Sequence, residues 1–155
     1  MAISDHDFNE ELDEVVETTI RLLQTQEQAE YSPVAFLSAG GDLDVMSLAD
    51  EDEVGEPGEG EMATLAREFG EHLAAEGRER PECVFFAHLS KGEDGAETIV
   101  VHGATPEGRT NVAYLNVRRD EKGAIRVVSS KAWHSPAPLA GGGNLGVEVL
   151  KGMGV

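Results

Sequence analysis

The sequence predicts an α+β domain: a single antiparallel sheet of about six strands with two helices packed on one face, in the order α-β-β-α-β-β-β-β. Three observations predict it. Apolar residues recur at three- and four-residue spacing in two separate stretches, 5–28 and 62–76. Short apolar runs of strand length lie between and after them. The connections among the last four runs, "KGEDG", "TPEGR" and "RDEKG", are rich in turn formers and too short for crossovers, so those strands must run antiparallel. A sheet with one apolar face then needs the helices as its cover.

The elements follow in order. Phe8, Leu12, Val15, Val16, Thr19, Ile20 and Leu23 form one apolar stripe. Ser4 or Asp5 is placed to cap that helix, and Asp7, Glu10 and Glu11 lie in its first turns, where the helix dipole favours negative charge. Pro33 closes the region, and "VAFLS" and "LDVMSL" read as two strands reversing through "AGGD". Residues 49–61 are acid and glycine with Pro57, a surface loop. Met62, Leu65, Ala66, Phe69 and Leu73 mark the second helix, with Gly77 placed to end it and Pro81 to prevent its continuation. Four strands at 83–89, 98–103, 110–118 and 125–131 complete the body. The element order resembles that of the profilin-like and roadblock-like scaffolds. Residues 1–132 form the domain, 133–144 a Pro/Gly-rich spacer and 145–155 an apolar tail.

Turn lengths predict registers. A five-residue "KGEDG" loop pairs Ser90 with Ala96, and a five-residue "TPEGR" loop pairs Ala104 with Thr110. One sheet face then carries Val84, Phe86, His88, Val100, His102, Val112, Tyr114 and Asn116. The other carries Cys83, Phe85, Leu89, Ile99, Val101, Ala113, Leu115 and Val117, and as the more uniformly apolar it should lie under both helices. The mixed face is left for solvent, for a shallow site built on His88, His102, Tyr114 and Asn116, or for a second subunit.

At 155 residues the chain is long enough to bury roughly 68–70% of its unfolded surface without staples. The one cysteine, Cys83, cannot form an internal disulfide and reads as a buried reduced thiol. The acidic start lacks a basic n-region and an apolar h-region, so no signal peptide is expected. No apolar run approaches the ~18 residues of a membrane span, and a cytoplasmic location is expected. The net charge of −18 is localised. Residues 1–81 hold 22 acidic and 4 basic side chains, residues 82–155 eight of each. Such a surface repels nucleic acid and anionic lipid and suits a basic partner or mimics a phosphate backbone.

Catalytic patterns are missing. The sequence contains no G-x-S-x-G, H-E-x-x-H or C-x-x-C, and "GGDL" and "GGGN" lack the spaced glycines and lysine of a phosphate loop. No cofactor is expected. In the register above His88 and His102 stand four residues out of step, roughly 13 Å apart, too far to share a metal whose bonds to nitrogen are ~2.0–2.1 Å. Asp50, Asp52, Gly55 and Glu61 fall at EF-hand positions one, three, six and twelve, a weak calcium pattern. Val54 stands where an oxygen ligand belongs, so a solvated acidic loop is the simpler reading.

The tail "GGGNLGVEVLKG" resembles the cargo-loading peptides of encapsulin compartments in Leu145, Gly146, Val147, Leu150 and Lys151, with Glu148 and Val149 where a Gly-Ser pair is usual. The resemblance implies docking inside a protein shell. Leu145, Val147, Val149 and Leu150 otherwise read as the domain's own last edge strand. The expected function is a non-catalytic acidic interaction module. Its partner contacts are the tail residues Leu145, Gly146, Val147, Val149, Leu150 and Lys151, or the mixed face, with a homodimer as one form of partnership. The alternatives are a ligand binder or enzyme around His102, Tyr114 and Asn116, and an acidic decoy of nucleic acid.

Overall fold

A computed structural model describes residues 4–25, 34–39, 42–47, 59–77, 81–91, 97–128, 133–135 and 144–154. Helix α1 (Asp5–Thr25) starts where the sequence places it. The Asp7 amide donates to Ser4 Oγ at 3.1 Å, and the Phe8 amide to the Ser4 carbonyl at 2.9 Å, which makes Ser4 the cap. Strands β1 (Val34–Ala39) and β2 (Asp42–Ser47) form the first hairpin. Helix α2 (Glu59–Ala75) begins three residues earlier than the apolar period indicates. Gly77, with φ 77°, terminates it as expected.

Strands β3 (Cys83–Lys91), β4 (Glu97–Ala104), β5 (Thr110–Arg119), β6 (Ile125–Val127) and β7 (Trp133–Ser135) follow, and the chain closes on helix α3 (Leu145–Met153). The sheet is antiparallel in the order β2-β1-β3-β4-β5-β6. The outer edge of β5 is shared: Val117–Arg119 pair with β6, and Val112–Tyr114 pair with β7. The predicted spacer therefore contains a strand at its start.

The helices correct the expectation of a single covered face. α1 packs Phe8, Leu12, Val15, Val16, Ile20 and Leu23 against Phe36, Cys83, Phe85, Ile99, Val101, Ala113 and Leu115. α2 and α3 pack on the opposite face, against Ala35, Leu37, Val84, Phe86 and Ala104. The α1 face is the one identified as uniformly apolar. The other face is also apolar over most of its area once β1 contributes Ala35 and Leu37, and it needs its own cover.

α2 and α3 cross at unusually short range. A Cβ on Gly70 would fall 2.0 Å from the Val149 carbonyl oxygen, and one on Gly152 would fall 2.0 Å from the Arg67 carbonyl oxygen. Two glycines thus let two backbones touch where any larger residue would hold them apart. The crossing is flanked by an ion pair, Arg67 Nη2 to Glu148 Oε2 at 2.7 Å.

Residues 145–153 are helical rather than an edge strand. The sequence carries both periods. Leu145, Val147 and Val149 alternate as in a strand, whereas Leu145, Val149 and Leu150 share one helix face. Burial selects the second set: Leu145, Val149 and Leu150 are buried and Val147 is half-buried. Capping agrees, because Asn144 Oδ1 accepts from the amides of Gly146 and Val147, and Gly154 closes the helix with φ 79°.

Candidate functional site

The β4–β5 register is as the turn length predicts, with Ala104 opposite Thr110 and His102 opposite Val112. The β3–β4 register is not. Ser90 pairs with Thr98, not Ala96, and Lys91 pairs with Glu97. The five-residue connection, 92–96, begins one residue later than "KGEDG". Moving a loop of fixed length by one residue moves cross-strand partners by two. A two-residue shift preserves facing, which explains why both faces were assigned correctly while distances along the strands were not.

The shift overturns the separation of His88 and His102. His88 now lies opposite Val100 and His102 opposite Phe86, so the two histidines are diagonal neighbours on adjacent strands. Their Nε2 atoms are 3.1 Å apart, and the rings stack at a centroid distance of 5.2 Å and an interplanar angle of 20°. Val100, Val112 and Tyr114 form a small apolar cluster beside them. Asn116 is exposed, next to Thr98. The four residues singled out on this face are therefore split between a pair formed by a half-buried His88 and a buried His102, a buried tyrosine and an exposed amide.

The hydrogen bonds assign the tautomers. His102 Nδ1 accepts from the Leu145 backbone N–H at 3.2 Å, so that nitrogen carries a lone pair and the proton of the neutral ring sits on Nε2. This Nε2–H donates to His88 Nε2, which must then be the acceptor. The His88 proton is accordingly on Nδ1. Burial pushes His88 down to about 4, and burial together with the neighbouring His88 pushes His102 down to about 3. Both rings are neutral at pH 7, and both Nε2 atoms and His102 Nδ1 are engaged in bonds within the protein.

This arrangement bears on metal binding. His102 cannot offer Nε2 to a metal while Nδ1 accepts from Leu145, because the remaining proton has no other place. Among the described residues no group of three His, Cys, Asp or Glu side chains is gathered in metal-binding geometry. For the calcium pattern, Asp50 and Asp52 lie outside the described residues, and Glu61 falls in the first turn of α2.

The predicted docking residues lie on α3. Leu145, Gly146, Val149 and Leu150 are buried, Val147 is half-buried and Lys151 is exposed. The α3 start is bound to the sheet at two points. His102 accepts from Leu145, and Asn144 Nδ2 donates to the Gly103 carbonyl at 3.2 Å. Gly146 allows the approach, since a Cβ there would meet the His102 carbonyl oxygen at 3.1 Å and Ala104 Cβ at 3.2 Å. Asn144, Gly70 and Gly152 were not identified from the sequence. The signal for the first was present: an asparagine directly before an apolar run, with Lys151 and Gly154 in helix-ending positions.

On the α1 face, Cys83 is a free, fully buried thiol held near 12 by burial. Burial and Glu14 also raise Glu11 beside it, and Ser38 pulls both groups the other way. A thiol so far from ionisation is a poor nucleophile. No family model, curated protein or solved structure matches this chain.

Proposed function

We propose that this protein is a non-catalytic interaction module that presents acidic helical surface to a basic protein partner. The observation that supports it is the outer face of α1. Asp7, Glu10, Asp13, Glu14 and Glu17 are exposed there over three turns, and no lysine or arginine precedes Arg21. Carboxylates arrayed on a helix anchored by a rigid sheet steer a cationic surface over long range and set its register at short range. The ligand-binding or enzymatic reading is less favoured, because both Nε2 atoms of the His88–His102 pair and His102 Nδ1 are already engaged within the fold. Leu145, Val149 and Leu150 are buried in the protein's own core, so partner contact is assigned to the outer faces of the helices rather than to the folded tail.

The test compares partners recovered from the source cells by the intact chain and by a Glu10→Gln, Glu14→Gln, Glu17→Gln variant. A basic protein should be recovered at low salt, with recovery at least tenfold lower for the variant and falling steeply with added salt. Recovery indifferent to both salt and the variant would reject the reading.

A further inference from the structure

We infer that the His88–His102 pair is an acid-sensitive latch that holds the start of α3 on the sheet and releases it in mildly acidic solution. The geometry carries it. Leu145, the first residue of α3, donates its backbone N–H to His102 Nδ1. That bond requires a lone pair on Nδ1 and so exists only while His102 is neutral. The Nε2 contact imposes the same condition on the partner: His102 Nε2 already carries its proton, so a protonated His88 would set N–H against N–H at 3.1 Å. A charged His102 would also face the positive end of the α3 dipole, where a cation is disfavoured.

Among the described residues no carboxylate acts on either ring. From β3 the group facing His102 is His88; from β5 they are Val112 and the Tyr114 phenol across Val100. From α3 the nearest acid along the helix is Glu148, engaged by Arg67 of α2 and by Lys151. The carboxylates of α1 lie on the other side of the sheet. A proton therefore enters the pair most readily after α3 has moved away.

The working range follows from the released state. Released histidines titrate near the ordinary 6.5, whereas in the closed state burial holds them near 4 and 3. Both folded values are lowered, so the closed form is fully favoured above about 6.5 and loses ground as the pH falls below it. Each released histidine multiplies the opening constant by about ten per pH unit, so the pair supplies up to about a hundredfold per unit. The latch thus responds between pH 6.5 and 5, well above the values of the closed pair. Opening uncovers Leu145, Val149 and Leu150 together with their seat on Val84 and Phe86. The inference is independent of the basic partner proposed above.

Amide hydrogen exchange on the full chain from pH 7.5 to 5.0, normalised to an unstructured peptide, tests it. Protection of residues 146–154 should fall by ten- to a hundredfold per unit below pH 6.5, while residues 8–23 in α1 hold theirs. His102→Asn, whose side-chain oxygen can still accept from Leu145, should reduce the α3 slope to tenfold or less. His88→Leu should do the same, and serves if the first variant fails to fold. PH-independent protection of α3, equal loss in α1 and α3, or a full slope in either variant would overturn the latch.

Discussion

The two faces of the sheet are held in different ways. Under α1 the contact is mainly apolar, with an exposed hydrogen bond from Asn111 Nδ2 to Asn9 Oδ1 at its rim: Phe8 stacks on Phe85 at 5.9 Å, and Leu12, Val15 and Leu23 are almost fully buried. Gly103 leaves room for that stack, since a Cβ there would fall 2.9 Å from the Phe85 ring. Under α2 and α3 the apolar contact is supplemented by directed devices, namely two glycines at the crossing, an asparagine cap tied to Gly103, and a histidine accepting from the helix start. Burial is non-directional and tolerates small shifts, whereas hydrogen bonds and backbone contacts are satisfied in one geometry only. The α1 layer should therefore supply the bulk of the stability, and the α3 layer should open locally at lower cost.

The sharpest way to break this contrast is Leu12→Ala. It should lower global stability by about 2–5 kcal/mol, seen as an earlier urea midpoint with both layers lost together. Gly152→Ala should cost less, about 1–3 kcal/mol, because its Cβ must push α3 away from the Arg67 carbonyl. Hydrogen exchange should then show lost protection in α3 with α1 preserved; equal loss in α1 would mean that the layers form one cooperative unit. Asn144→Ala should be smallest, about 1–2 kcal/mol, removing the cap and leaving the Gly103 carbonyl without its side-chain donor. Thermal unfolding followed by circular dichroism would rank the three.

Legibility in the sequence divides along the same line. The α1 stripe, a cap at Ser4 or Asp5, the Gly77 stop and the strand facings were readable, because each rests on a pattern within one segment. The placement of α2 was not, because the face it covers looked mixed until β1 added Ala35 and Leu37 from elsewhere in the chain. The His88–His102 pair was hidden by a hairpin loop displaced by one residue. The α3 helix was hidden by an apolar run that fits both periods, and the hydrophobic seat on Val84, Phe86 and Phe69, together with the Asn144 cap, chooses between them.

The sequence by itself determined the α+β class, the antiparallel meander of the second half, the apolar face under α1 and the concentration of acid in the first 81 residues. These follow from local periodicity, turn chemistry and charge, which need no knowledge of neighbours. The tertiary structure decided what residues 145–153 become, which face α2 covers, and that two histidines fourteen positions apart meet through their Nε2 atoms. Each of those outcomes depends on register and close approach between distant segments, where one residue of slip or one added Cβ changes the partner. Local pattern does not encode that information.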